Sequence, residues 1–349
     1  MKIKSLVIIG NYFTSNMNVY LNREYRTHKI CEAFRMSGVS CKVILINYKS
    51  LFSTKSFDEN EVIVLNLLDI FNFRKRKLLN QVLNKSTHVW YTNGPLVGFL
   101  SRLFVRAKSN SIIYEVLDNY RTYFPSIYPL LSLFERNIKR KAEKIAYVTK
   151  ELANLDVDFE QKSTIFFNGI DRRIFYPMDK ELCKREHSLR VDKKTIGFTG
   201  SIDKRVKDNL ITIVNSPKLK NFEFHIVTNS EIDFSIPSNC IVSRKVPLNQ
   251  MASAINSCDL VIIPNRKDEF TKYCFPSKTA EIIACKVDFL ITPINSLNGV
   301  INESNIATFD VENFVELIIE KLATKYYFSP YNVDSFTWTH LVEKSFFKD

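Results

Sequence analysis

Short apolar runs alternate with longer amphipathic stretches along almost the whole chain, and this alternation constrains the fold more than any other feature. In the first half the apolar runs are Ile3–Ile9, Lys42–Ile46, Glu61–Leu65, His88–Tyr91, Ser111–Val116, Lys144–Val148 and Thr164–Phe167. Helical stretches lie at Tyr20–Met36, Arg74–Leu83, Pro95–Arg106, Leu130–Glu143 and Lys150–Leu155. Strands alternating with helices predict a parallel, doubly wound sheet. The pattern restarts with strands at Thr195–Phe198, Glu223–Val227, Cys240–Val242, Leu260–Ile263 and Val287–Ile291. Helices are predicted among them at Val206–Asn215, Leu248–Asn256, Pro276–Cys285 and Val311–Ala323. A second sheet of the same design follows. The polar stretch Asn168–Lys194, which carries Pro177, separates the two. The expected domains are 1–172 and 173–330, with 331–349 as a terminal helix around Trp338. A chain of 349 residues is long for one core and comfortable for two.

One segment of the second half carries chemistry. Asp259-Leu260-Val261-Ile262-Ile263-Pro264 reads as a strand ended by proline. Phe275-Pro276-Ser277-Lys278-Thr279-Ala280-Glu281 then reads as a helix start, where a proline costs nothing. A strand feeding a helix N-terminus is an anion cradle, because free amides and the positive end of the helix dipole meet there. Lys278 adds a point charge, and Glu281 follows about one turn on. Amides and a lysine suit a diphosphate, and a carboxylate one turn in suits ribose hydroxyls. Lys278 and the amides of Ser277 and Thr279 are therefore the expected diphosphate ligands, and Glu281 the ribose ligand.

Composition narrows the classes. Hydrophobic residues make up 45% and charged residues 25%, which is globular. No apolar run reaches the roughly 18 residues of a membrane span. The N-terminal run has no cleavage signal and leads straight into the first strand, so a leader is not expected. Seven scattered cysteines without a Cys-x-x-Cys pair fit a reducing compartment. Five histidines lack ligand spacing, so a structural or catalytic zinc is not expected. The 8 glycines should occupy tight positions, and Gly10, Gly94, Gly169 and Gly200 each follow a strand-like run. This is where open α/β sheets bind ligands. Gly200 is followed by Lys204 and Arg205, expected to clamp the same phosphates; which of Lys204, Arg205 and Lys207 makes the contact stays open.

The net charge of +12 is uneven. Residues 1–172 hold 26 Lys/Arg against 15 Asp/Glu, whereas 173–349 hold 23 against 22. Arg74–Lys77 and the group from Arg136 to Lys144 are the main basic clusters, with aromatic and aliphatic stretches between them. Such a surface suits an anionic membrane or a lipid-phosphate acceptor. Nucleic acid is the other polyanion, but no recognised motif for it is present and none is expected as partner.

Phe167-Asn168-Gly169-Ile170-Asp171-Arg172-Arg173-Ile174-Phe175-Tyr176-Pro177 resembles the Asn-Gly-Val-Asp-x-x-x-Phe-x-Pro signature of family 4 glycosyltransferases. Ile196-Gly197-Phe198-Thr199-Gly200-Ser201-Ile202 resembles the start of their second domain. Pro264, Thr271 and Pro276 through Glu281 resemble the donor segment of bacterial teichuronic-acid, capsule and exopolysaccharide transferases. The resemblance covers most of residues 111–349. It implies a GT-B fold: two Rossmann-like α/β domains facing a cleft, with a C-terminal helix crossing back to the first. It also implies a metal-independent glycosyltransferase, retaining ahead of inverting. The donor would be a nucleoside-diphosphate sugar, UDP foremost. The acceptor would be a lipid-linked saccharide of a bacterial surface polysaccharide, at the inner face of the cell membrane. Three departures stand out: Tyr273 where many retaining members carry glutamate, Lys286–Leu290 without the usual Gly-Lys-Pro, and Asn11–Thr14 without paired glycines.

On the acceptor side, Asp118 ends the run from Ile112. By resemblance it touches the sugar or the acceptor hydroxyl, as a general base in an inverting course or an orienting group in a retaining one. Arg26 and His28 are further acceptor candidates. The rival readings are a nucleotide-sugar 2-epimerase on the same fold and a nucleic-acid binder using the basic 71–150 surface.

Overall fold

The computed structural model of the chain describes residues 2–11, 23–47, 62–66, 69, 71–92, 94–98, 111–123, 125–297, 299–324 and 331–347. The chain divides into two compact units, Met1–Asn168 with Trp338–Asp349, and Gly169–Thr337.

The first unit holds β1 (Ser5–Asn11), β2 (Ser40–Asn47), β3 (Val62–Asn66), β4 (His88–Tyr91), β5 (Ser111–Val116), β6 (Ala142–Tyr147) and β7 (Ser163–Ile165). They form one sheet in the order β3-β2-β1-β4-β5-β6-β7, with every neighbouring pair parallel. Continuous buried runs such as Leu6–Ile9 belong to strands covered on both faces. Helix α1 (Arg23–Met36) carries the chain from β1 to β2. Helices α2 (Phe73–Asn84) and α3 (Tyr128–Lys141) carry it in the opposite direction, from β3 to β4 and from β5 to β6. Right-handed crossovers therefore set α2 and α3 on one face and α1 on the other. A short helix, α4 (Lys150–Asn154), is capped by the Thr149 side chain.

The C-terminal helix, Trp338–Phe346, belongs to this first unit and completes its core. Phe346 packs 5.0 Å from Trp90 and 5.7 Å from Phe34, centroid to centroid. Phe166 lies 5.3 Å from Trp90. All four rings are fully or almost fully buried. The sequence expectations for residues 12–22 and 99–106 lie outside the described residues; of the predicted Pro95–Arg106 helix, 95–98 is helical.

The second unit holds β8 (Thr195–Thr199), β9 (Glu223–Val227), β10 (Cys240–Ser243), β11 (Leu260–Ile263) and β12 (Asp288–Ile291), in the order β10-β9-β8-β11-β12 and all parallel. Its helices are α5 (Lys180–Glu186), α6 (Lys207–Val214), α7 (Met251–Asn256), α8 (Ser277–Cys285) and α9 (Val311–Ala323). Leu210 and Ile213 of α6 and Phe314 and Ile318 of α9 pack on Ile196, Phe224 and Leu260 of the sheet. The two ends of the unit are paired, with the Ile170 amide donating to the Phe336 carbonyl at 2.9 Å. Helix α5 falls inside the stretch read from sequence as a polar boundary.

Candidate functional site

The strand order of the second sheet reverses between β8 and β11: β9 and β10 lie to one side of β8, β11 and β12 to the other. Loops leaving the C-terminal ends of two such strands diverge and leave a crevice between them. The loop from Gly200 follows β8, and the loop leading to Pro276 follows β11. The two segments singled out in the sequence therefore flank one switch point.

Helix α8 begins directly after Pro276, which sits in extended conformation at the cap position and provides no side-chain cap. Ser277 is the first helical residue, and the backbone amides of a helix's first turn point out of its N-terminal end. The Thr279 amide already donates to the Pro276 carbonyl at 3.0 Å, and its side chain is fully buried. The expected diphosphate contact from the Thr279 amide thus meets an occupied donor. Lys278 Nζ pairs with Glu281 Oε2 at 3.0 Å, with side chains 12% and 8% exposed. A nearly buried pair on one helical turn gains little for folding, because desolvation offsets the attraction.

The loop before α8 is held from several sides. Thr271 and Asp268 cap each other, each main-chain amide donating to the other's side chain at 2.7 and 3.0 Å. Ser296 Oγ donates to the Cys274 carbonyl at 2.6 Å. Asn209 Nδ2, on α6, donates to the Pro264 carbonyl at 3.0 Å, and the Arg266 amide to the Arg205 carbonyl at 2.8 Å. The two loops are thereby tied together.

Gly200 has φ +146°, a conformation that favours glycine, and its amide bonds the Val227 carbonyl at 2.9 Å. Beyond it, the three cations separate. Arg205 is committed to Asp203, through Nε at 2.8 Å and through Nη2, and its guanidinium stacks 4.2 Å over the Phe270 ring. Burial pushes the Asp203 carboxyl up, but the Arg205 side chain and amide outweigh it and hold it below the usual carboxylate range. Lys207 pairs with Asp233 at 2.6 Å. Lys204 is exposed and has no hydrogen-bond or ion-pair partner among the described residues. The phosphate role expected of Arg205 meets a paired group, whereas Lys204 is available. Sequence reasoning missed Asp203 and Phe270, which fix Arg205; the i, i+2 spacing of Asp203 and Arg205 was the only signal.

In the first unit, Asp118 lies half-buried two residues past the end of β5. At the start of the short helical turn Tyr120–Tyr123, the Asn119 side chain accepts from the Arg121 amide at 3.3 Å. His28 is exposed on α1. Arg26 is a correction to the acceptor reading. It is buried and donates to Glu115 Oε1 through Nε at 3.1 Å and Nη2 at 2.6 Å. It also donates to the carbonyls of Phe166 and Phe167 and to Asn168 Oδ1. Its guanidinium lies 5.1 Å from the Phe166 ring and 5.0 Å from the Trp338 ring. It ties β5, the end of the unit and the C-terminal helix together. Among the described residues no helix is long and apolar enough to cross a membrane.

No protein-family model and no curated protein matches the chain. Solved structures do. Sucrose-phosphate synthase from Thermosynechococcus elongatus superposes with a TM-score of 0.70 at 11% identity, over 98% of this chain and 92% of that one. Anabaena HepE, solved in complex with UDP and glucose, gives 0.68 at 10% identity, over 98% and 95%. WaaG, a glycosyltransferase involved in lipopolysaccharide biosynthesis, gives 0.64 at 12% identity, over 99% and 100%. With two parallel sheets, of seven and five strands among the described residues, the chain has the GT-B glycosyltransferase fold.

Proposed function

We propose that the protein is a glycosyltransferase that moves a sugar from a nucleoside diphosphate, UDP foremost, to a lipid-linked saccharide in the assembly of a bacterial surface polysaccharide. The observation that carries this reading is the switch point of the second sheet. There the start of α8, with its buried Lys278–Glu281 pair, follows one of the two flanking strands, and Gly200 and Lys204 follow the other. In this reading Lys278, Lys204 and the first amides of α8 take the diphosphate, and Glu281 the ribose hydroxyls. Charge on the leaving diphosphate grows as the glycosidic bond breaks, so fixed donors there favour the transition state over the ground state. These cations fill the place of a metal ion, and none is required. HepE, which shares the fold, was solved with UDP and glucose, which supports the choice of base.

Asp118 is the acceptor-side carboxylate of this reading. It orients the acceptor in a retaining course, which the family resemblance favours, and would accept its proton in an inverting one. The basic excess of residues 1–172 supports a peripheral position on an anionic membrane, at its cytoplasmic face.

The test is ligand-induced stabilisation. UDP should raise the melting midpoint, with a gain of about 2.7 kcal/mol at a hundredfold excess over Kd. Glu281→Ala should weaken UDP roughly 30-fold by titration calorimetry, the loss of a charge-assisted hydrogen-bonded contact. A native protein that ignores UDP and other nucleoside diphosphates removes the reading.

A further inference from the structure

Phe71 and Phe73 are the most exposed large hydrophobic side chains among the described residues, at 83% and 79%. They stand on either side of Asn72, whose side chain caps α2 by accepting from the Lys75 amide at 3.1 Å. The rings thus project from a capped helix end. The next four residues are Arg74, Lys75, Arg76 and Lys77, and the first turn contains no acid. Cations at a helix N-terminus oppose its dipole and weaken the helix. Lys75 is partly compensated by Asp69 at 2.7 Å. Arg74, Arg76 and Lys77 form no ion pair among the described residues. The two rings bury little of their surface in the first unit, and Arg74, Arg76 and Lys77 are exposed. Both gain at a surface that is negative outside and apolar a few ångströms in.

A second observation points to the same end of the unit. Helices α2 and α3 lie on the same face of the sheet by crossover handedness, and both start at the C-terminal ends of its parallel strands. The first turns of α3 expose Leu130 and Leu133, at 60% and 67%.

We propose that the N-terminal end of α2 is a membrane-docking element: Phe71 and Phe73 enter an anionic phospholipid bilayer at headgroup depth, Arg74, Arg76 and Lys77 engage lipid phosphates, and the exposed start of α3 forms a second contact. This rests on the membrane partner proposed above and assigns it a surface.

The experiment is flotation of the full chain with phosphatidylglycerol/phosphatidylcholine vesicles and with phosphatidylcholine alone. Phe71→Ser/Phe73→Ser should weaken binding to the anionic vesicles by roughly tenfold or more. Its melting midpoint should stay that of the native protein, because both side chains are exposed. Arg74→Gln/Arg76→Gln/Lys77→Gln should abolish the preference for anionic over neutral vesicles. Equal binding by the native protein and the phenylalanine variant overturns the proposal. So does a native protein that ignores vesicles but is retained by single-stranded RNA through the same cations. The UDP-induced shift, read on the same samples, separates the two claims: docking that depends on the two rings upholds this surface even where UDP binding is absent and the transferase reading fails.

Discussion

His225 lies in the middle of β9, fully buried, with Ser257 Oγ 3.0 Å from Nδ1 and Ser243 Oγ 2.9 Å from Nε2. The Ser257 hydroxyl donates to the Ala254 carbonyl at 2.8 Å, so it accepts from Nδ1. Nε2 is left to accept from Ser243, and the ring is neutral. Burial first, and then the His187 ring 4.8 Å away, hold the pKa down at about 3, against an ordinary value of 6.5. The unfolded chain therefore binds a proton that the folded one refuses. The stability due to His225 is complete above about pH 6.5 and is lost as pH falls towards about 3. Urea denaturation across that window should show a falling midpoint, and His225→Gln should flatten the slope. An unchanged slope in the variant would place the acid sensitivity elsewhere. Arg26 carries the complementary lesson. From sequence it is a cation near the first helix, fit for an acceptor. Only the fold brings Glu115, 89 positions away, within 2.6 Å and converts it into a staple.

At the scale of elements, much of the architecture is legible because apolar runs mark strands directly. His88–Tyr91, Ser111–Val116, Glu223–Val227 and Leu260–Ile263 stand as strands where the apolar pattern places them, and Val311–Ala323 as a helix. Helix α5 escaped that reading because its sequence, Lys-Glu-Leu-Cys-Lys-Arg-Glu, has no apolar stripe. Its buried positions are Cys183 and Lys184, and Lys184 is buried because Asp259, far along the chain, pairs with it at 2.8 Å. The cap was visible: Asp179 accepts from the Leu182 amide at 2.9 Å. At the candidate site, the helix start after Pro276 was legible because the proline marks it locally. The commitment of Arg205 to Asp203 and of the Thr279 amide to Pro276 was not, since both are matters of geometry. The pairing of β8 with β11 includes one closely approached glycine. Gly197 pairs with Val261, and a Cβ added there would overlap the Cys258 sulfur just before β11. Gly197→Ala should cost about 1–3 kcal/mol by overpacking. Cys258→Ala in the same chain should recover part of that loss, a coupling that a double-mutant cycle in urea would measure. Additive costs would show that the two residues do not limit each other.

At the scale of the molecule, the chain crosses between its units twice, at Asn168–Gly169 and at Thr337–Trp338. The first unit is therefore discontinuous in sequence, and Phe346 of its last helix sits among Phe34, Trp90 and Phe166. The second unit is one continuous segment with its own core, from Ile196 in β8 to Leu322 in α9. Its two ends are already joined by the Ile170–Phe336 hydrogen bond, the Ile170–Thr337 bridge and the Arg172–Asp334 ion pair. Every residue assigned to the donor, Gly200, Lys204, Ser277, Lys278 and Glu281, lies within it. A segment with a closed core and paired ends should fold when expressed alone as residues 169–337. It should keep a UDP-dependent rise in melting midpoint, with a Kd within about tenfold of that of the whole chain. It should show no vesicle binding, because the basic excess and the exposed rings belong to the other unit. A folded 169–337 segment that is blind to UDP, beside a full chain that binds it, would mean that the nucleotide needs residues from 1–168 and that the switch point of the second sheet is insufficient.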